Sequence, residues 1–416
     1  MSRTVSKQIA SGLCTGLLLA VSVPASAAVD AKLLEMLRAN GSITATQHAE
    51  LEAELAKEQR EQAAASTAAN DFKEKLGWVA RTKIKGDLRL RQEMVSVEGG
   101  TGDEEDENRQ RLRMRLGFYS EVNDDVDAGI RIATGSSDDR RSTNQTMEDY
   151  FDKKDIWLDL AYLDWHPGES DNLHLFGGKM PQPWVSVADV IWDGDINPEG
   201  FAATYTLPVG GLDVFANAGY FNMEDNVDGE GVEFRHDAQM YTGQLGAHFD
   251  LSDSVAFTLG GSLYAFDNET ADDAASVLTQ FGNTTNEFQL WEGFAQMSLK
   301  NLPVPVSVYG QYVVNTDTDS DQDTAWLAGF TADYNKLAFD YNYRDVQRDS
   351  VVSIFTDSDF AAGLTGSRGH KFKLGYDLGK NVSVGATYFM AETDSLDGFA
   401  DDTSVDTLQL DLVTKF

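Results

Sequence analysis

Arginine stands at positions 109, 111, 113 and 115, while Leu112, Met114, Leu116 and Phe118 fill the alternate places between and just after them. A spacing of two is the pleat of a β-strand, whose successive side chains point to opposite faces. A helix would smear both sets around its circumference. The same alternation opens at residue 78 and recurs to the end of the chain. Lys83, Lys85, Arg89 and Arg91 alternate with Ile84, Leu88 and Leu90, and Val126, Ile130 and Ile132 stand opposite Arg131. Further on, Leu337, Phe339, Tyr341 and Tyr343 oppose Asp340, Asn342 and Arg344, and Leu408, Leu410 and Leu412 oppose Gln409 and Asp411.

The pattern predicts sixteen strands. Eight lie near 80–97, 109–122, 126–135, 155–165, 172–179, 200–207, 212–222 and 238–250. The other eight lie near 254–266, 287–300, 304–315, 324–334, 336–348, 368–377, 381–391 and 403–416. Segments 155–165 and 287–300 alternate poorly. The connectors alternate too: tight turns such as "NDD", "PVGG", "YNK" and "LGKN" trade places with long acidic links such as "GGTGDEEDEN", "DNVDGEGVEFRHD" and "NTDTDSDQD".

An even strand count with short turns at one end and long loops at the other predicts an all-β fold, a 16-stranded antiparallel transmembrane β-barrel. A β-sandwich would alternate as well, but nothing would sort its connectors by length. Closure also removes the free edges of a long open sheet. An arginine facing lipid near the midplane costs about 2–4 kcal/mol, so the basic rows must face a polar lumen. The predicted pore-lining residues are Lys83, Lys85, Arg89, Arg91, Arg109, Arg111, Arg113, Arg115 and Arg131.

Composition changes the picture at the N-terminus. Arg3 and Lys7, the apolar run "GLLLAVSV" and the small residues "ASA" at 25–27 read as a signal peptide over 1–27, too short to span a bilayer. Cys14, the sole cysteine, lies within it, and the preceding "SGL" is not a lipoprotein box. Residues 28–77 are rich in Ala, Glu, Gln and Leu and predict a short α-helical segment ahead of the barrel at 78–416. Asn40-Gly41 ends one helix, Thr44 and Gln47 form a capping box for the next, and Leu51 with Leu55 hints at a coiled-coil seam between subunits, the other reading being a frayed solvated helix or linker.

The formal charge is −35, and loss of Arg3 and Lys7 with the leader takes it to −37, which argues against nucleic acid as a partner. Catalytic patterns are missing. The histidines lack metal-ligand spacing, and there is no HExxH, GxSxG or P-loop. No cofactor, metal or enzyme activity is expected. The competing readings are an outer-membrane protease or lipase, and a structural barrel tethering the envelope.

The stretches "LLEMLRANGSITATQHAELEAEL", "FGGKMPQPW" at 176–184 and "WDGDINPEG" at 192–200, together with the arginine-alternating strand, resemble the putative-porin family of proteobacterial outer membranes. The resemblance covers essentially the whole mature chain and extends more loosely to the phosphate-selective porins. It implies a water-filled channel for small hydrophilic solutes and ions, sixteen strands, a periplasmic N-terminal helical segment, a homotrimer and a place in the outer membrane of a Gram-negative bacterium amid lipid and lipopolysaccharide. The terminal Phe416 resembles the signal read by the barrel-assembly machinery. The phosphate-selective relatives carry lysines on an inward loop; the comparable loop here is acidic.

That loop spans 180–199. Pro181, Pro183 and Pro198 exclude a regular strand, and Trp184, Val185, Val187, Val190, Ile191 and Trp192 are too apolar for a solvated link. The loop is therefore expected to fold into the lumen, narrow it, and present Asp189, Asp193, Asp195 and Glu199 toward the arginines. The alternation of Asp193, Asp195 and Asn197 is reminiscent of a calcium loop, but Pro198 and Thr204 occupy the places of its Gly and closing Glu.

Overall fold

The computed structural model describes residues 27–75, 77–99, 105–137, 139–168, 172–224, 238–268, 277–394 and 403–416. The expected leader at 1–27 lies outside these but for Ala27, as do most of the acidic links at 99–108, 225–237 and 393–402. Two compact units are present, one ending at Ala80 and the other spanning Arg81–Phe416.

The first unit is helical: α1 (Ala27–Ala39), α2 (Ala45–Lys75) and the single turn α3 (Gly77–Ala80). Gly41, at φ +77°, ends α1 in the left-handed conformation that glycine adopts without a Cβ penalty. The capping box forms reciprocally. The Gln47 side chain accepts from the Thr44 N–H at 3.0 Å, and Thr44 Oγ1 accepts from the Gln47 N–H at 3.3 Å. Leu51 is exposed along α2. No helix among the described residues is long and apolar enough to cross a membrane.

The second unit is a closed antiparallel sheet. Its strands are β1 (Thr82–Glu98), β2 (Glu105–Asn123), β3 (Val126–Thr134), β4 (Gln145–Thr146), β5 (Ile156–Trp165), β6 (Leu173–Lys179), β7 (Glu199–Val209) and β8 (Leu212–Glu224). They continue as β9 (Ala238–Ser252), β10 (Val255–Asp267), β11 (Gln289–Leu299), β12 (Val306–Asn315), β13 (Thr324–Tyr334), β14 (Leu337–Val346), β15 (Ser367–Gly379), β16 (Val382–Thr393) and β17 (Thr403–Lys415). Each long strand pairs with its neighbours in the chain, and β1 pairs with both β2 and β17, which closes the ring. The two-residue β4 only borders β2, so the wall has the sixteen strands expected. Phe416 completes the seam through backbone bonds to Gly86 in both directions, at 2.9 and 3.0 Å. Its ring lies where a Cβ on residue 86 would sit, 2.6 Å away, which accounts for the glycine in the outward row between Ile84 and Leu88.

The outward rows are the ones expected: Ile84, Leu88, Leu90, Ile130, Leu245, Leu259, Leu410 and Leu412 are all exposed. Exposed Trp165, Tyr334 and Tyr376 lie toward the short turns, and Trp157, Trp291 and Trp326 toward the long loops, as two aromatic girdles would. The weak alternation of two segments has physical causes. In β5 the register against β3 slips between Arg131 and Ile132, so Ile156, Trp157 and Leu158 are all exposed. In β11 the inner face alternates correctly but carries Leu290 and Phe294 beside Glu292, because part of the lumen wall is dry.

That dry part is the core of the barrel. Loop 180–198 folds inward, and Met180, Trp184, Val190, Ile191, Trp192 and Ile196 are buried against Phe221, Met240, Tyr264, Phe266, Val313 and Leu327 of β8–β13. Trp184 packs against Trp192 with ring centres 4.6 Å apart and the planes tilted by 37°, and it meets Phe221 and Tyr264 edge-on. A second segment, 347–366, folds in beside it and contributes Val351, Val352 and Ile354 to the same core. It joins the first loop directly: the backbone Phe355 O accepts from Asp193 N at 2.6 Å, and the Thr356 side chain donates from Oγ1 to Val190 O at 2.7 Å.

Candidate functional site

The pleat places every predicted lining residue on the inner face, and each finds partners there. Lys83 reaches Glu121 at 3.3 Å, and Lys85 lies 5.6 Å from the centre of the Tyr119 ring. Arg91 grips Asp411 with two bonds of 2.8 and 3.0 Å and Asp359 with one of 2.9 Å. Arg109 and Arg111 converge on Glu93, at 2.5 and 3.4 Å. Arg113 and Arg115 converge on Asp87, at 2.8 and 2.6 Å, and Arg115 also reaches Asp195 at 3.1 Å. Arg131 pairs with Asp159. Arg89 is the exception in the ladder: it donates to Asn144 at 2.6 Å, its Nε has no partner, and no carboxylate among the described residues lies within 4.0 Å.

The arginine ladder is therefore not a row of like charges but a zipper. Its chief counter-charges are Asp87 and Glu93, buried on β1 in the same phase as Lys85, Arg89 and Arg91. The sequence carried that signal, since positions 87 and 93 share the odd phase of the basic residues. A buried ion pair this well satisfied costs little; removing one partner leaves an uncompensated charge.

The inward loop meets the ladder less than expected. Of its four carboxylates, Asp195 alone pairs with a ladder arginine, and it also accepts from Thr143 Oγ1 at 2.6 Å. Asp189 instead binds Arg344 at 2.6 Å and Lys371 at 2.8 Å, on β14 and β15, rather than any arginine of β2. Glu199 sits at the start of β7 and pairs with Lys179 at 2.6 Å. Asp193 accepts only backbone N–H groups, from Ser358 at 3.0 Å and Asp195 at 2.8 Å. The reason is packing: burying six apolar side chains fixes the loop's path, and its carboxylates meet whatever wall lies beside each. The calcium-loop pattern is likewise absorbed by protein contacts, with Asn197 Nδ2 donating to Asp159 at 2.8 Å. Among the described residues no group of His, Cys, Asp or Glu is arranged to hold a metal ion.

Segment 347–366 was not anticipated, although "VVSIFTDSDF" has the same unalternating apolar character as loop 180–198. It supplies Asp357, 3.2 Å from Arg344, and Asp359, which binds Arg91. Arg141, from the loop after β3, ties this segment in. Its guanidinium donates to the carbonyls of Ser353 and Gly363 at 2.9 and 2.8 Å and stacks on Phe281 at 4.1 Å.

Electrostatics in these loops follow the partners. Burial opposes ionisation of Asp189, but Arg344 and Lys371 outweigh it and hold the carboxyl well below the usual range. Burial likewise opposes ionisation of Asp359, and Arg91 wins, holding it at about 2. Asp193 goes the other way: burial, then the Asp357 and Asp195 carboxylates, push it well above the usual range.

Because the loops fill the β8–β14 side, the polar space lies along the basic wall. A cavity of 270 Å³ there is lined by six basic and six acidic side chains, among them Arg89, Arg113, Lys373, Asp193, Asp357 and Asp411. A larger cavity of 580 Å³ shares Ser142 and Asp195 with it. Such a barrel, closed, lipid-facing outside and narrowed by inward loops over a charged wall, belongs to the porin class of transmembrane β-barrels.

The comparisons with known proteins agree. The sequence profile of the family described as "Putative porin" matches residues 100–342 and 293–416. The chain belongs to this family and forms a porin channel. In fold it is similar to OprB of Pseudomonas putida, at 11% identity, a TM-score of 0.54, and coverage of 83% of this chain and 96% of that one. OmpF of Salmonella typhi, solved in complex with daunomycin, is 14% identical over 80% of this chain and 97% of its own, at a TM-score of 0.47. Phosphate starvation-inducible protein 1 of Pseudomonas fluorescens is 71% identical over 34 residues, 8% of this chain and 87% of that one.

Proposed function

We propose that this porin lets small hydrophilic solutes and ions diffuse across the outer membrane of a Gram-negative bacterium along its basic wall, with mild anion preference. The observation that supports this reading is the asymmetry of the lumen: loops 180–198 and 347–366 dry one side, leaving a polar passage beside Arg89, Arg91, Arg113 and Lys373. Most wall cations are paired, so they steer rather than trap. Arg89 and Lys373 make no ion pair among the described residues and tip the balance toward anions. Wall charges in a narrow, low-dielectric passage are screened less than the acidic loop charges at the mouth, whose reach is about 8 Å at physiological salt. Inorganic phosphate is on this reading one permeant anion among several. The protein enters the envelope by a cleaved leader at 1–27, is inserted through recognition of Phe416, sits amid lipid and lipopolysaccharide, and assembles as a homotrimer aided by the helices at 28–77. The test is reconstitution of the mature protein in a planar bilayer. Discrete conductance steps, grouped in threes, are expected; a folded but electrically silent barrel would overturn the reading.

A further inference from the structure

Arg89, Lys373 and Asp193 line the same 270 Å³ cavity. Each differs from the other ionisable groups around it. Arg91, Arg113 and Lys371 are bound to carboxylates, and Arg141 to Asp139 and two carbonyls. Arg89 and Lys373 have no carboxylate within 4.0 Å among the described residues, and the Nε of Arg89 is buried without a partner. On the acidic side, Asp189, Asp195, Asp357, Asp359 and Asp411 each meet an arginine. Asp193 meets none; it accepts two backbone N–H bonds and faces the carboxylates of Asp195 and Asp357.

A protein that pairs almost every charge in a confined space and leaves two cations and one carboxylate open has left both signs unfilled. A simple anion would answer Arg89 and Lys373 and add repulsion at Asp193. A simple cation would do the reverse. We infer that the cavity is a subsite for small zwitterions of the α-amino acid class, the carboxylate bound by Arg89 and Lys373 and the ammonium by Asp193. The volume, just under the roughly 300–1,000 Å³ of drug-sized pockets, suits such a solute. Burial and like-charged neighbours already disfavour the ionised form of Asp193, and an ammonium beside it relieves that penalty. The inference rests on the passage along the basic wall proposed above.

The experiment is single-channel recording of the full mature protein in KCl with three solutes of matched size: L-alanine, L-lactate and L-alaninamide. Alanine is expected to interrupt the potassium chloride current at concentrations at least about tenfold lower than the other two, a difference of about 1.4 kcal/mol. Asp193→Asn is expected to bring alanine down to the level of lactate, and Lys373→Gln to that of alaninamide. Arg89→Gln repeats the second arm should Lys373→Gln assemble poorly. Equal block by lactate makes the cavity an anion site, equal block by alaninamide makes it a cation site, and an open channel blocked by none has no subsite; each overturns the inference while leaving the channel reading intact. Failure to conduct KCl at all would overturn that reading instead.

Discussion

Replacing Arg344 with Gln tests whether the inward loops are pinned electrostatically. Arg344 is 1% exposed and holds Asp189 of one loop at 2.6 Å and Asp357 of the other at 3.2 Å, with its guanidinium 4.7 Å from the Phe360 ring. Removing one partner of a buried ion pair costs about 3–5 kcal/mol, because the remaining charge is left uncompensated. Lys371 still contacts both carboxylates, at 2.8 and 3.6 Å, which favours the lower end. About 3 kcal/mol corresponds to a change of about 150-fold in the closed-to-open ratio of the loops. The sheet ladder does not depend on this contact, so the barrel itself should persist. Single-channel recordings of Arg344→Gln should show new current fluctuations and a larger mean conductance, with heat-modifiable mobility in detergent gels confirming a folded barrel. A folded variant with an unchanged current trace would refute the pinning argument.

Charge reversals and pH extend the reasoning. Arg111→Gln with Arg113→Gln removes two wall cations and one partner each of Glu93 and Asp87, and should move the zero-current potential in a KCl gradient toward potassium, whereas Asp193→Asn with Asp195→Asn should move it toward chloride; no movement in either would mean that these residues lie off the conducting path. The raised Asp193 carboxyl loses its charge as pH falls through a value above its ordinary one, so on acidification selectivity should drift toward chloride before the ordinary carboxylate range is reached, and Asp193→Asn should abolish the drift. The depressed Asp359 behaves oppositely: its pairing with Arg91 stabilises the fold above the ordinary carboxylate range and is lost only as pH falls through about 2, so Asp359→Asn should leave that drift in place. Deleting residues 29–75 should leave a folded barrel that dissociates to monomers at lower temperature in native electrophoresis; an unchanged oligomer would assign the helices another role.

The wall was legible in the sequence because period-two alternation between lipid and water is a one-dimensional code: Leu88, Leu90 and Leu112 against Arg89, Arg91 and Arg113 declare both faces at once. Loop 180–198 was legible for the opposite reason, since prolines and unalternating apolar residues fit neither a strand nor a solvated link. The identity of the counter-charges was not. Asp87 and Glu93 share the phase of the basic residues, but it is the register of β1 on β2 that sets Asp87 opposite Arg115 and Glu93 opposite Arg109. Asp189 pairs with residues 155 and 182 positions away in the chain, a choice made by how the loop packs. The apolar inner faces of β8–β13, with Phe221, Met240 and Tyr264, blurred the alternation because they pack against loops rather than water.

The central claim, that solutes pass along the inner face carrying the arginines, is tested most directly by cysteine accessibility. The sequence has no cysteine beyond Cys14, so single thiols can be placed in the mature chain without background. Arg89→Cys and Leu90→Cys put a thiol on opposite faces of β1 at adjacent positions. A negatively charged methanethiosulfonate reagent added to the open channel should change the current through Arg89→Cys within the recording and leave Leu90→Cys unaffected. Block at Leu90→Cys with silence at Arg89→Cys would contradict the account.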